Sequence, residues 1–271
     1  MTARAAIGVY REERFSPGRV DDDRAVLDSV ADRLREQGVA VRAFDGDRLP
    51  SPDVAERLVF AMCQGERALA WLEALGRETV VVNPPRAIRN CYRTRMLERF
   101  AAAGVPHPTS ALAESSPPAD LASGPWLKRG DVHAMEAGDV RRVFGEAEWR
   151  QALGELRERG VASAVVQDHA EGTVFKFYGV AGRFFRAYGL PSGLERAAEE
   201  IAAAGAAALE LEVWGGDGVA GPDGSIRLID FNDWPSFSRC RDEAAAAIAG
   251  HLLDRLENGT ERRRGEAIRD A

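Results

Sequence analysis

Three oxygen-bearing side chains stand at hairpin spacing in GGDGVAGPDGSIRLIDFNDW, near the carboxyl end of the chain. Asp223-Gly224 is a two-residue turn signal, because a type I′ turn needs positive φ at both central positions. With that turn, Asp217 faces Asp230 across the hairpin, and Asn232 lies two residues further on the same face. Opposed carboxylates repel each other. A hard divalent cation that binds Asp and Asn oxygens turns this repulsion into attraction to the cation. The spacing predicts a magnesium site, with a solvent-facing loop aspartate as the alternative.

Lysine is the second chemical signal, because it is scarce. Of the 36 basic residues, only Lys128, in GPWLKRGDVHA, and Lys176, in TVFKFYGV, are not arginine. A GC-rich genome would explain the excess of arginine and alanine together, which makes each retained lysine informative. Lysine is a compact ammonium, whereas arginine is a wide planar fork. Lys176 alternates with apolar residues on its strand and points either to solvent or inward to a phosphate.

Composition excludes several classes of partner. The formal net charge of -7 gives no basic field for nucleic acid or an anionic membrane, and no apolar run approaches the roughly 18 residues of a membrane span. The three cysteines, Cys63, Cys91 and Cys240, are odd in number and lack any CxxC spacing. This pattern argues against a disulfide framework and a structural zinc site. We expect a cytoplasmic protein with no nucleic-acid or membrane partner.

The elements that must position these residues are predicted to form a parallel β-α-β part and two α+β lobes. The first 90 residues predict a small parallel sheet of β-α-β units, with strands at AAIGVY, VAVRAF, RLVFAMC and TVVVNPP. One helix is predicted over AIRNCYRTRMLERFAAAG, followed by VPHPTS as an extended connector and ESSPPADLASG as a linker. WLKR, VRRVFG and SAVVQDHA predict strands of an α+β lobe, and TVFKFYGV, RFFRAYGL and the hairpin predict a further one.

Asp217, Asp230-Phe231-Asn232 and Pro235 fall at the spacing of the metal-binding hairpin in the ATP-grasp superfamily, which the chain therefore resembles. The resemblance covers about residues 83–250. It implies a combined α/β and α+β fold, in which a small N-terminal parallel lobe precedes two α+β lobes that clamp ATP. The implied domains are 1–88 (N-terminal α/β), 89–166 (first ATP-grasp lobe with its lid), 167–258 (second lobe with the metal hairpin) and 259–271 (flexible tail).

The same resemblance assigns phosphate-binding and adenine-binding positions. Arg93 stands where many members have a phosphate-contacting lysine, and WLKRGD resembles the strand whose lysine, here Lys128, reaches the ATP phosphates. VVQDHAEG resembles the hinge strand, which places Gln167 near the adenine amino group and the backbone of Asp168, His169 and Ala170 along the adenine edge.

A further likeness concerns the second substrate and Lys176. FKFYGV resembles the strand after the hinge in inositol-polyphosphate kinases of the same superfamily, where a lysine serves the phosphates. Arg239 and Arg241 follow the metal strand, in the region that faces the second substrate, and either could instead cap the next helix. Arg11 or Arg14, after the first strand, could contact the acceptor or belong to a solvated loop.

The chain departs from the family pattern at three places. Val174 stands where many members have an acidic residue for the ribose, and Gly215 stands where peptide-forming members often carry an arginine. The lid RGDVHAMEAGD is not rich in glycine and serine, and its His133 has no counterpart in the pattern.

The resemblance implies an ATP- and Mg²⁺-dependent ligase. It would activate a small-molecule carboxylate as an acyl phosphate for attack by an amine or a thiol, with Lys128, Arg93 and Lys176 neutralising phosphate charge. Two Mg²⁺ ions are expected, with Mn²⁺ as an alternative. A small-molecule kinase and a non-catalytic nucleotide-binding module stay open, as do the acceptor and a homo-oligomeric state.

Overall fold

The computed structural model describes residues 4–132 and 134–269, with side chains described as far as residue 258. His133 in the lid lies outside the described residues, as do Asp270 and Ala271 at the end of the expected tail. Among the described residues, no helix is both long and apolar enough to cross a membrane. The chain divides into two compact units, one of residues 1–85, 179–185 and 233–271, the other of residues 86–178 and 186–232.

The first unit contains the predicted parallel sheet, in the order β2-β1-β3-β4. Its strands are β1 (Ala5–Tyr10), β2 (Ala40–Asp45), β3 (Leu58–Ala61) and β4 (Val80–Val82). Its helices are α1 (Val20–Glu36), α2 (Glu66–Glu73) and α7 (Arg241–Arg269). Helix α1 opens with three aspartates, which favour the positive end of the helix dipole, and buries its apolar stripe.

The second unit holds a sheet in the order β5-β8-β6-β7, with antiparallel pairing throughout. Its strands are β5 (Ser110–Leu112), β6 (Trp126–Arg129), β7 (Val140–Arg142) and β8 (Ala164–Gln167). Helix α5 (Glu146–Glu158) buries Trp149 and Leu153 in the core beneath this sheet. The extended connector therefore ends in a strand, β5, that pairs with the hinge strand β8.

The single helix predicted before that connector is wrong. Two helices occupy the segment, α3 (Pro85–Asn90) and α4 (Arg93–Ala103). Tyr92 breaks the run with a non-helical backbone, φ -59° and ψ 127°. The break frees the first turn of α4, where the Thr94 amide donates a hydrogen bond of 3.2 Å to the Gly130 carbonyl. A tertiary hydrogen bond thus replaces one that a continuous helix would make.

The remaining sheet has the order β10-β9-β11-β12. Its strands are β9 (Thr173–Val180), β10 (Phe184–Tyr188), β11 (Val213–Ala220) and β12 (Ile226–Asp233), and helix α6 (Glu195–Leu209) precedes β11. Two glycines of β11 lie directly against phenylalanine rings of β9. A Cβ atom on Gly216 would lie 2.6 Å from Phe177 Cζ, and one on Gly218 would lie 2.5 Å from Phe175 Cζ. Only glycine permits this approach.

The two-residue type I′ turn predicted at Asp223-Gly224 is also wrong. The Gly221 amide donates to the Ser225 carbonyl at 2.8 Å, so three residues form the loop. Gly224 takes the left-handed conformation with φ 80° and donates to the Gly221 carbonyl at 3.0 Å. Proline fits the second position of a type I turn, and glycine then closes a three-residue hairpin. The register at the turn is shifted by one residue from the predicted one.

The glycine-aromatic contact gives a first testable prediction. Gly218→Ala should destabilise the protein by about 1–3 kcal/mol, because the new methyl group overlaps the buried Phe175 ring. Gly154→Ala, inside α5 with no atom within 4 Å of the new Cβ, should stabilise it by about 1 kcal/mol through helix propensity. Urea unfolding of both variants measures the two effects, and shifts of the same sign would contradict the prediction.

Candidate functional site

The sheet of β9–β12 has an aromatic face and a charged face. On the aromatic face the Phe177 ring centroid lies 5.3 Å from that of Phe231 and 6.0 Å from that of Trp214. Lys176, the preceding residue on β9, points to the opposite face because strand side chains alternate. There its Nζ lies 2.7 Å from Asp217 Oδ1. The aromatic core and the charged side chains therefore lie on opposite faces of the sheet.

Strand β12 loses its two-residue alternation just before Asp230. Ile226 and Leu228 are buried, and burial resumes at Phe231 after an odd interval. Leu228 and Phe231 both lie against Gly205 of α6, at 2.8 and 3.0 Å from the position of a Cβ there. One extra residue between them is what a β-bulge supplies. It leaves Asp230 half-buried on the charged face.

Arg93 reaches this charged face from the first position of α4. Its side chain is buried, and Nη2 lies 3.1 Å from Asp230 Oδ1 while Nη1 donates to the Arg129 carbonyl at 2.6 Å. Its Nε has no hydrogen-bond partner among the described residues. The break before α4 is what places this arginine at a helix end, with Nη2 directed at Asp230 on β12.

Asp217 and Asp230 influence each other's charge. Burial raises the pKa of Asp217, the nearby Lys176 ammonium lowers it, and the negative charge of Asp230 raises it again, with a net increase. The repulsion that the sequence predicted between these carboxylates is therefore present. In this structure each carboxylate lies against a cation, Asp217 against Lys176 and Asp230 against Arg93.

Lys128 lies beneath the same face and is 5% exposed. Its Nζ donates to Gln167 Oε1 at 2.6 Å and to the Ile229 carbonyl at 3.2 Å. Burial and the Arg93 guanidinium lower its pKa to about 8, while the two aspartates act in the opposite direction. Five of the predicted site residues, Arg93, Lys128, Lys176, Asp217 and Asp230, are thus brought into one interacting group.

The donors on this face fit a hard divalent cation. Nowhere in the described part of the chain do three His, Cys, Asp or Glu side chains cluster as a metal site. The candidate set instead has two carboxylates, Asp217 and Asp230, and the amide of Asn232, half-buried two residues along β12. Oxygen donors of this kind, completed by phosphate oxygens and water, suit Mg²⁺.

The hinge residues make contacts that their sequence pattern does not reveal. The Asp168 amide donates to the Thr109 carbonyl at 2.9 Å, and His169 Nδ1 accepts from Trp126 Nε1 at 3.2 Å. Gln167 is buried and joins Lys128 to Ser110, whose Oγ accepts from Gln167 Nε2 at 3.1 Å. The roles of Gln167, Asp168, His169 and Ala170 toward adenine stay predictions. The sequence patterns did not predict a role for Ser110, because only the pairing of β5 with β8 brings it next to Gln167.

Arg11 stabilises the fold of the first unit. Its guanidinium donates to the Met62 carbonyl at 3.2 Å, to Asp23 Oδ2 at 3.1 Å and to the carbonyls of Asp233 and Trp234 at 3.3 and 2.7 Å. Trp234 has φ 38°, which is unusual for a bulky residue. The Arg11 guanidinium therefore stabilises a strained turn, and most of its N–H donors are used there.

The other arginines proposed for the second substrate have separate surroundings. Arg14 is exposed, with Cζ 4.7 Å from the centroid of the Phe15 ring. Arg239 is exposed, and Arg241 at the start of α7 lies 2.8 Å from Asp22. Their roles toward a substrate stay predictions.

The loop after Lys128 is anchored at its far end by Asp139. This side chain is fully buried and accepts hydrogen bonds from the amides of Met135 at 2.8 Å and Glu136 at 3.1 Å. Arg159 Nη2 lies 2.7 Å from its other oxygen. Burial opposes ionisation of Asp139, but these amides and the guanidinium outweigh it and lower the pKa.

Asp139→Asn should therefore destabilise the protein in a pH-dependent way. The folded-state pKa lies below the unfolded one, so the stabilisation is present above the unfolded pKa, about 4, and is lost as pH falls through the folded pKa. We expect a loss of about 2 kcal/mol at pH 7 that shrinks below pH 4, measured by urea unfolding. Asp53→Asn, an exposed aspartate, is the control and should match the wild type at both pH values. A loss for Asp139→Asn that does not change with pH would contradict this account.

No protein-family model and no curated protein matches the chain. Solved structures do match over nearly its full length. VanG D-Ala:D-Ser ligase from Enterococcus faecalis has a TM-score of 0.73 at 13% identity, covering 95% of this chain and 99% of that chain. D-alanyl-alanine synthetase A from Vibrio cholerae O1 has a TM-score of 0.72 at 10% identity, covering 96% and 99%.

A third similar structure is that of an ATP-grasp ligase. The ATP-grasp ligase PsnB, in complex with a phosphomimetic variant of its minimal precursor, Mg and ADP, has a TM-score of 0.65 at 16% identity, covering 94% of this chain and 99% of that chain. The expected combination of a parallel α/β part with two antiparallel sheets is confirmed, and the chain has the ATP-grasp fold. The likeness to inositol-polyphosphate kinases stays a prediction.

Proposed function

We propose that this chain, which has the ATP-grasp fold, is an ATP- and Mg²⁺-dependent ligase. In the proposed reaction a small-molecule carboxylate attacks the γ-phosphorus of ATP, ADP leaves, and an acyl phosphate forms. An amine or a thiol then attacks the acyl carbon and releases phosphate. The observation that carries the proposal is the group of Arg93, Lys128 and Lys176 gathered with Asp217 and Asp230 in a fold shared with ligases.

The burial of two of the cations supports the proposal. Two opposite charges about 4 Å apart attract by about 1 kcal/mol in bulk water, but by about 4 kcal/mol at an effective dielectric constant near 20. Lys128 and Arg93 are buried, so their charges act at the lower effective dielectric constant. Lys128 has three N–H donors, and its two contacts to Gln167 and Ile229 leave one for a phosphate oxygen.

Asp217, Asp230 and Asn232 are the residues that would hold Mg²⁺. When bound, Mg²⁺ would neutralise charge on the transferring phosphoryl group. Arg93 and Lys176 contact the two carboxylates, so both cations lie beside the proposed phosphate site. The chain then contributes positioning and electrostatics, and no side-chain nucleophile is needed.

The proposal is tested by trapping the acyl phosphate. The protein is incubated with ATP, MgCl₂, hydroxylamine and a panel of carboxylic acids, and we expect a hydroxamate together with equal amounts of ADP and phosphate. Asp230→Asn should lose the signal, because it removes a carboxylate ligand. ATP turnover without any hydroxamate across a broad panel would count against a ligase. A stable phosphorylated product in ³¹P NMR would instead favour the kinase alternative, which the glycine at position 215 keeps open.

Lys128→Arg should lose most of the activity although the charge is kept. The Lys128 ammonium is buried and donates to the Gln167 amide oxygen and the Ile229 carbonyl, and a planar guanidinium is wider than the ammonium it would replace. We expect a fall in kcat/KM on the order of 100-fold, with an unchanged circular dichroism spectrum. Arg150→Lys, at an exposed ion pair on α5, should keep wild-type activity. Retained activity in Lys128→Arg would show that charge alone suffices at this position.

A further inference from the structure

A chain of hydrogen bonds runs from Lys128 across three strands to a backbone carbonyl. Lys128 Nζ on β6 donates to Gln167 Oε1 at 2.6 Å, and Gln167 Nε2 on β8 donates to Ser110 Oγ at 3.1 Å. Ser110 on β5 then donates to the Pro108 carbonyl at 2.8 Å. The strand register supports the chain, because Ser110 and Gln167 are direct partners across the β5–β8 ladder.

The direction of donation is fixed at both ends. An ammonium has only donors, so it requires an acceptor, and a carbonyl has only lone pairs, so it requires a donor. Ser110 gives its single hydroxyl hydrogen to Pro108 and can only accept from Gln167. The Gln167 amide must therefore turn its NH₂ toward Ser110 and its oxygen toward Lys128. A flipped amide would set NH₂ against the ammonium and place two oxygens in contact at Ser110.

We infer that Ser110 is a positioning residue for Lys128, acting through the orientation of Gln167. The inference rests on the proposed function, in which Lys128 binds the ATP phosphates. With Gln167 held, the Lys128 ammonium has two fixed acceptors, the Gln167 amide oxygen and the Ile229 carbonyl, and its remaining N–H has a defined direction. Without Ser110, both orientations of the Gln167 amide become accessible, and the flipped one repels the ammonium.

The effect should be specific to ligands that carry phosphates. Ser110→Ala should weaken binding of Mg²⁺·AMP-PNP about fivefold in titration calorimetry, the size expected for the loss of one neutral hydrogen bond. Adenosine, which lacks phosphates and would meet Gln167 only through its adenine, should lose much less affinity than AMP-PNP. The KM for ATP should rise with the Kd for AMP-PNP, while the melting temperature changes little because Ser110 is only partly buried.

Two variants serve as controls. Ser110→Thr keeps a hydroxyl at the same position and suits a strand, so it should restore AMP-PNP affinity. Ser123→Ala removes a similar local bond, from Ser123 Oγ to the Asp120 carbonyl at 3.0 Å, at an exposed site outside the hydrogen-bond chain. It should bind AMP-PNP like the wild type.

The outcomes separate this inference from the proposed function. If the wild type binds AMP-PNP with Mg²⁺ and Ser110→Ala binds it equally well, the positioning role is wrong and the proposed function stands. If Ser110→Ala loses adenosine and AMP-PNP binding alike, or Ser110→Thr fails to restore binding, the serine supports the hinge generally and the inference is overturned. If the wild type binds no Mg²⁺·AMP-PNP, the proposed function itself fails.

Discussion

The charged face of the β9–β12 sheet is governed by the repulsion between Asp217 and Asp230. Both carboxylates are partly removed from water, and the charge of Asp230 adds to burial in raising the pKa of Asp217. An unpaired carboxylate in such a place costs on the order of several kcal/mol of desolvation. Arg93 and Lys176 offset this cost by direct contact. Such pairs fix the charges in position but add little net stability, so the fold must be stabilised elsewhere.

That stabilisation comes from the opposite face of the same sheet. Phe175, Phe177 and Phe231 are fully buried there, and each buried aromatic ring contributes about 1.5–3 kcal/mol. Gly216 and Gly218 let the rings of β9 lie directly on β11. The segment GGDG therefore serves both faces, because its glycines admit the aromatic core on one side while Asp217 points to the other.

Sequence patterns predicted the parts of this arrangement that have local causes. Periodicity predicted the parallel sheet, the strand of Lys128 and the strands carrying Lys176 and Asp217. The features that it missed have causes distant in sequence. The break before α4 is accompanied by a hydrogen bond from Thr94 to Gly130, and the anchoring of Asp139 depends on a guanidinium from beyond α5.

The hairpin and the hinge illustrate two further limits. At the hairpin, Asp-Gly fits a type I′ turn, but the preceding Pro222 suits the second position of a type I turn and shifts the register by one residue. The burial alternation of β12 breaks just before Asp230, as one extra residue in that strand would make it do, and the charge of Asp230 still acts on Asp217 although the predicted turn was wrong. At the hinge, no local pattern distinguishes Ser110 from any other serine in a connector, because its partner Gln167 is 57 residues away.

The distribution of lysine and arginine follows from the geometry of their acceptors as well as from composition. Arg93 contacts two acceptors with two different nitrogens, the Arg129 carbonyl through Nη1 and Asp230 through Nη2. A lysine at position 93 would have to bring one nitrogen within reach of both. Lys128 presents the opposite case, since its acceptors, the Gln167 amide and the Ile229 carbonyl, converge on a single nitrogen. A composition that favours arginine can therefore place it at position 93 with a gain in hydrogen bonding, whereas at position 128 the converging acceptors select the ammonium.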